Sequence, residues 1–294
     1  IFLQYILSAF ATVYFFKGLK KLFKNSQIAF YSTLFVIGYF PIQQWNTCLL
    51  TESMFISLVL LFVWALSLEH HTRKWFTLFI ISILATSLRP NGGILLLTCI
   101  GIYGSQHIKL DRKIIFSFLI LLVMVLFALQ NYTDTFYHFL LDSFNKGEII
   151  CGYAHTSIQT TFITNDGSCG SITKIIDLIV QHPSKSMQLF LGRFLALWSD
   201  LRVYYSLVHN LFIGAYLFVS YSMAVIGWIQ FGKTYHQLVY VTLLYCGLNT
   251  LLVMITYADW DGRFLAPLLP IVFIWSGLGF YFSSQFLIRK KIRL

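Results

Sequence analysis

Charge is scarce in this sequence. Only 11% of its 294 residues are Asp, Glu, Lys or Arg, while 57% are hydrophobic. A soluble domain carries about 25% charged and roughly 45–50% apolar residues, so an ordinary soluble globular domain is excluded. Acids are the scarcer charge, 11 against 21 Lys and Arg. The start also lacks a basic n-region and a small-residue cleavage site, because Ile1 opens inside an apolar run. That excludes a signal peptide, and we expect further sequence upstream. No internal repeat or low-complexity tract is evident.

What is present is a set of long apolar runs separated by short basic clusters, the pattern of membrane spans. Nine segments are predicted: Ile1–Phe16, Ile28–Gln43, Cys48–Leu68, Trp75–Leu88, Gly92–Gly104, Ile114–Gln130, Leu211–Phe231, Leu238–Tyr257 and Phe264–Phe286. The expected fold is an all-α polytopic membrane protein with about nine transmembrane helices and a large extracytoplasmic segment. Its parts are an N-terminal bundle of six spans (1–130), the extracytoplasmic segment (131–210), and three C-terminal spans with a basic tail (211–294). Aromatic residues make up 18%, which suits interfacial belts and interhelical packing.

The path hinges on Arg89-Pro90-Asn91-Gly92-Gly93. Proline removes a backbone donor and glycine loosens the helix, so this is either a turn between two spans or a kink in one. Charge decides, because Lys and Arg favour the cytoplasmic side. With a turn, Lys17–Lys24, Arg73-Lys74, Lys109–Lys113, Lys233 and Arg289–Arg293 all fall inside. These clusters hold 14 of the 21 basic residues and are joined by only two acids, Glu69 and Asp111. The outer face keeps 7 basic and 9 acidic residues. A kink would place the basic tail outside. The turn is therefore expected, the C-terminus is cytoplasmic, and the +10 net charge is a topology signal with no nucleic-acid partner behind it. The membrane is a plasma, inner or endoplasmic-reticulum membrane.

The outer segment contains Cys151 and Cys169. Disulfides persist in oxidising compartments, so a Cys151–Cys169 bridge fits this sidedness and would contribute roughly 3 kcal/mol. Two free thiols are the alternative. Asn131-Tyr132-Thr133 is a formal glycosylation sequon. Thr135–Phe144 is amphipathic enough to lie along the interface, and Ser171–Gln181 has a helical pattern. Pro183 is then expected to break the chain, with Ser184 capping a helix over Lys185–Trp198.

Charged groups at membrane depth are costly and each needs a reason. In this topology the candidates gather outside. Glu52 opens the third span, Arg89 sits at the turn, and Asp259, Asp261 and Arg263 precede the last span. His182, Arg193, Asp200, Arg202 and His209 lie in the outer segment. Only the outer face combines acids, bases and hydrogen-bond donors. A polyprenyl-phosphate-sugar keeps its tail in the bilayer and its phosphate at the interface. Arginines at outer helix ends suit that phosphate, a carboxylate suits deprotonation of an acceptor hydroxyl, and Trp198, Tyr204, Tyr205 and Trp260 suit a sugar face. Each residue also has a plainer reading. Glu52 would favour a helix N-terminal dipole, Arg89 local carbonyls, and Arg263 an interfacial anchor. Arg193, on an otherwise apolar helix, would contact lipid headgroups. Asp259-Trp260-Asp261 fits a divalent metal or a solvated loop, so no cofactor is assigned.

Four stretches carry a family resemblance. Thr51-Glu52 opens a span within Leu50-Thr51-Glu52-Ser53-Met54-Phe55. Leu88-Arg89-Pro90 ends one. His182-Pro183 precedes a helix with Arg193, followed by Arg202 and Tyr205-Ser206. Asp261-Gly262-Arg263-Phe264 precedes Pro267 and Pro270. In this order they resemble the GT-C superfamily of integral membrane glycosyltransferases, in particular its protein-mannosyltransferase-like (family 39-like) branch. The resemblance implies a polyprenyl-phosphate-linked sugar donor, a glycan, lipid or protein acceptor, and an extracytoplasmic site. It implies donor-phosphate contacts from Arg263, Arg89, Arg202 and Arg193, and sugar contacts from Trp260, Asp261 and His182. Glu52 becomes a pocket residue. The family's catalytic Asp or Glu lies in a loop expected upstream of Ile1, so no catalytic base is named. A transporter or flippase of lipid-linked intermediates would place ionisable groups at mid-membrane and show repeat symmetry. An O-antigen ligase or polymerase would also use outer arginines and a large outer loop, without this order of motifs. A non-catalytic scaffold would tolerate substitution of the outer charges.

Overall fold

The computed structural model describes residues 1–48, 50–107, 146–158 and 179–292. Among these the protein is all-helical. Its helices are α1 (Phe2–Phe23), α2 (Ser26–Gly38), α3 (Phe40–Gln44), α4 (Thr51–Leu66), α5 (His71–Leu88), α6 (Gly92–His107), α7 (Pro183–Ser199), α8 (Leu207–Phe231), α9 (His236–Ile255) and α10 (Leu269–Ile292). Four are long and apolar enough to cross a membrane: Phe2–Phe23, Leu207–Phe231, His236–Ile255 and Leu269–Ile288 within α10. At 1.5 Å per residue a 22-residue helix spans about 33 Å, the thickness of a hydrocarbon core. Many large side chains on their outer faces are apolar and exposed, among them Phe10, Phe218, Ile229 and Leu251, as lipid contact requires.

Several predicted spans are redrawn. The first continues beyond Phe16 to Phe23 and carries Lys20 and Lys21 in its last turn, where cations complement the helix dipole. The second is broken at Tyr39, giving a 13-residue helix and a short α3. Pro41 is the cause, since its ring conflicts with the carbonyl four residues back. Gln43 Nε2 donates to the freed Val36 carbonyl at 3.0 Å. The third shortens to 16 residues. The last begins at Leu269 instead of Phe264, because Pro267 and Pro270 supply no donors and residues 263–268 form successive turns. The predicted break at Arg89-Pro90-Asn91 is present. Arg89 is extended (φ −150, ψ 142), and the amides of Gly92, Gly93 and Ile94 donate to Arg89, Pro90 and Asn91. A Cβ on Gly92 would collide with the Ala85 carbonyl. The span Ile114–Gln130, the sequon, Thr135–Phe144 and nearly all of Ser171–Gln181 lie outside the described residues.

The chain divides into two compact units. The first is Ile1–Tyr103, Val203–Asn249 and Gly262–Leu294; the second is Gly104–Arg202 and Thr250–Asp261. In the first, α1 runs parallel to α4. Gln4 Nε2 bonds the Leu50 carbonyl at their starts (2.8 Å), and Lys21 meets Glu69 beyond their ends (3.1 Å). Likewise α8 runs parallel to α10, with Tyr216 beside Phe273 and Phe231 beside Phe282. α2 is antiparallel to α10, pairing Tyr31 with Phe280 and Tyr39 with Phe273. Lipid tails are as apolar as leucine, so close packing holds such helices together more than the hydrophobic effect does. The α8–α10 seam shows it: Gly227 and Gly279 bring the backbones together, and Ser276 Oγ donates to the Ser220 carbonyl at 2.8 Å.

These pairings sort the charges. One end of the first unit gathers Lys21, Glu69, Lys74 with Gln237 (3.4 Å), Phe23 with Tyr235, and Gln27 with Gln285. Lys20, Lys24, Arg73 and Lys233 lie beside them in sequence. The opposite end holds Gln4, Leu50, Glu52 and Arg89.

In the second unit, residues 149–151 pair with Ala258 through an isolated parallel bridge. Leu189 of α7 packs with Ile149, Ile158, Ile179 and Phe190 in a small core. α7 begins at Pro183, not after it, with His182 in the N-cap position. Proline suits the first helical position, where its missing N–H is no loss. The expected break is present: helical residues end at Gln181, His182 interrupts them, and α7 starts at Pro183, two residues before the expected Lys185 and without Ser184 as its cap.

Candidate functional site

Glu52 lies in the first turn of α4 and is 5% exposed. Its carboxylate Oε1 meets Arg89 Nη1 at 3.2 Å. Arg89 reaches it because α5 ends there and the proline turn directs the side chain back toward α4. The guanidinium also lies 5.9 Å from the ring centres of both Phe55 and Phe264. Arg263 lies 5.5 Å from the same Phe264 ring. Cations within about 6 Å of an aromatic centre are held by the ring quadrupole. Arg89 and Arg263, far apart in sequence, thus meet at Phe264 at the end away from the lysines, and Arg89 brings its partner Glu52 with it. Gly262, with φ 78, makes the turn that delivers Arg263, a left-handed conformation that favours glycine.

The cluster is not fully satisfied from within. Glu52 Oε2 is buried with no hydrogen-bond partner among the described residues, and so is the hydroxyl of Tyr245. Tyr245 is completely buried in the π-helical turn Thr242–Cys246 of α9, near enough to feel the Arg89 charge. Such turns interrupt α-helices mostly at functional places. Buried polar atoms without partners are rare and call for a ligand, water or functional role.

Beside Glu52 runs a polar chain that the motif search passed over. Ser53 Oγ donates to Asn46 Oδ1, and Asn46 Nδ2 donates to Ser8 and Gln43 at 3.3 Å. Gln4 is 8% exposed and keeps Oε1 without a partner. The signal was available: an amide inside an apolar run needs a partner just as a charge does. Two cavities lie elsewhere. One of about 300 Å³ sits among Leu22, Leu66 and residues 234–238 at the lysine end. The other, about 530 Å³ and open, is lined by His71, Trp75, Phe79, Cys99 and Tyr103.

The remaining candidates belong to the second unit and are arranged differently. Arg193 is fully buried. Its Nε donates to the Glu148 carbonyl at 2.9 Å, and its Nη1 to the carbonyls of Met254 and Ile255 at 3.2 and 2.9 Å. It therefore caps the C-terminal end of α9 and does not reach lipid headgroups. Burial lowers its pKa to about 10, which leaves it protonated at neutral pH. Arg202, also buried, donates to the carbonyls of Ala196 (2.8 Å) and Asp259 (2.9 Å) and faces Asp200 at 3.6 Å. Asp200 closes α7 in a left-handed conformation, φ 52. This geometry gives Arg193 and Arg202 structural work. Trp260 is exposed, Asp261 and His182 are half-buried, and Asp259 is fully buried. Cys151 is half-buried, and its expected partner Cys169 lies outside the described residues. No group of three or more His, Cys, Asp or Glu side chains among the described residues is placed to hold a metal ion.

Comparison with protein-family models, curated proteins and solved structures returned no match. The class defined by the fold is an α-helical integral membrane protein whose apolar helices associate with a lipid bilayer.

Proposed function

We propose that the protein is a glycosyltransferase that moves a sugar from a polyprenyl-phosphate-linked donor to an acceptor on the extracytoplasmic face of a membrane. The supporting observation is the meeting of Arg89, paired with Glu52, and Arg263 at Phe264, at the bundle end opposite the lysines. Two guanidiniums beside one ring suit an anionic phosphate at the interface, since Arg presents a planar fork to tetrahedral oxyanions. Stabilising charge on the departing phosphate lowers the barrier to glycosyl transfer. Glu52 holds Arg89 in place, and its second oxygen, buried without a hydrogen-bond partner among the described residues, is an acceptor that a sugar hydroxyl would satisfy if the pocket opened to admit it. The GT-C resemblance, the nine-span topology, the large extracytoplasmic segment and the cytoplasmic C-terminus belong to this proposal. Trp260, Asp261 and His182, all in the second unit, are the sugar contacts that the resemblance implies.

The test is transfer from radiolabelled polyprenyl-phosphate sugars by the protein, beside Arg263→Ala. Transfer that falls at least tenfold in the variant, at normal expression, supports the reading. Wild-type turnover in Arg263→Ala would remove Arg263 from the phosphate site. Lipid binding without transfer of any sugar would favour a transporter of lipid-linked intermediates.

A further inference from the structure

Helix α7 has its polarity inside out. Its buried stripe carries Ser186, Leu189, Arg193 and Leu197. Its exposed stripe starts with Ser184 and Gln188 and then presents Met187 (58% exposed), Leu191 (51%), Phe194 (38%) and Leu195 (62%). A surface helix bathed in water does the reverse, turning charge outward and large apolar groups inward. Here the guanidinium is inside, bonded to three carbonyls, and the inward face already has its own small core around Leu189. The outward apolar residues take no part in that core.

The apolar surface does not stop with the helix. Leu201, Val203, Leu207, Val208 and Leu211 are all exposed. They carry it through the short link 200–206 into α8, which is long and apolar enough to cross a membrane. A link this short keeps the end of α7 within about 25 Å of the start of that span. Exposed apolar residues therefore follow one another in sequence from α7 into α8.

We propose that α7 lies at the membrane interface, inclined so that Leu191, Phe194 and Leu195 in its C-terminal half are seated among the acyl chains. The inclination leaves the polar first turn, Pro183 and Ser184, at headgroup level. Amphipathic helices bind in this manner, burying one apolar face at the headgroup–acyl boundary. The docked helix is not isolated from the rest of its unit. Arg193 grips the carbonyls of Met254 and Ile255, Trp198 Nε1 donates to Thr250 Oγ1 at 3.2 Å, and Arg202 holds the Asp259 carbonyl. All of these lie in segment 250–261, whose last residue precedes Gly262 and Arg263. Seating α7 in lipid thus fixes the depth of the Asp259–Asp261 turn. This inference does not depend on the glycosyltransferase reading.

The experiment places a nitroxide at Leu191→Cys or, separately, at Ser184→Cys. It uses the full chain with Cys48, Cys151 and Cys169 replaced by Ser, in vesicles of phosphatidylcholine and phosphatidylglycerol. Collision with oxygen, which concentrates in acyl chains, is compared with collision with a water-soluble nickel chelate. The Leu191 label decides. We expect it to meet oxygen several-fold more often than nickel, with the order reversed at Ser184. Nickel access at Leu191 equal to that at Ser184 would mean the stripe faces water. Protection from both reagents would mean that protein, including a second copy of the chain, covers it. Either result overturns the proposal. Both labels sit at exposed positions, and a single monodisperse peak in size exclusion shows that the fold survives labelling.

Discussion

At the scale of single residues, the Glu52–Arg89 pair decides most. A buried ion pair adds little net stability, but removing one partner strands the other charge in an apolar setting, at roughly 3–5 kcal/mol. Arg89→Met should therefore destabilise the protein by about that much. The double variant Glu52→Gln, Arg89→Met should recover a large part of the loss. Thermal unfolding in detergent reads both, and equal stability of the single and double variants would mean that the pair is not buried together. The sequence made both residues visible as charges at helix ends, yet they are 37 positions apart and nothing local pairs them. Arg263 was visible for the same reason. Tyr245 was not: a tyrosine in an apolar run looks like any belt aromatic, and the π turn that buries its hydroxyl depends on packing against α10, where Trp275 Nε1 bonds Thr242 at 2.8 Å. Arg193 was visible but its direction was not. With Leu189, Phe190, Leu191, Phe194 and Leu195 around it, the apolar pattern marks no single inward face, and only the carbonyls at the end of α9 decide.

At the scale of elements, breaks were more legible than lengths. Proline and glycine act locally, so Arg89-Pro90-Asn91-Gly92-Gly93 marked the break between α5 and α6, and the charge distribution chose a turn over a kink. The break at Tyr39 carries the same signal in Pro41, but it lies inside an apolar run whose hydropathy is uninterrupted. The two glycines of the α5–α6 turn make a paired test. A Cβ at Gly92 meets the Ala85 carbonyl, whereas one at Gly93 meets nothing within 4 Å. Gly92→Ala should cost about 1–3 kcal/mol through overpacking. Gly93→Ala, in the first turn of α6, should be neutral or stabilising by up to about 1 kcal/mol, because alanine loses less backbone freedom on folding. Unfolding midpoints of the two variants should move apart. If both fall together, the turn is looser than the structure makes it.

At the scale of the whole chain, the segregation of charge in the first unit has a consequence for sidedness. Parallel α1 and α4 and antiparallel α2 and α10 put Lys21, Lys74 and Lys233 at one end and Glu52 with Arg89 at the other. Lysines and arginines are retained on the cytoplasmic side during insertion, so the proposed orientation puts the lysine end in the cytoplasm and the Glu52 end outside. Cys48 lies just before α4, at the Glu52 end, and is half-buried; Lys233 is exposed just beyond α8. A membrane-impermeant maleimide applied to intact cells should modify Cys48 when it is the only cysteine left. It should not modify Lys233→Cys in a background without native cysteines until the membrane is permeabilised. Labelling of both without permeabilisation would mean that the two ends do not lie across a membrane. Labelling of Lys233→Cys alone would invert the topology and put Glu52, Arg89 and Arg263 in the cytoplasm. A donor flipped to the outer leaflet could not reach them there, so this one assay bears on the chemistry as well as on the fold.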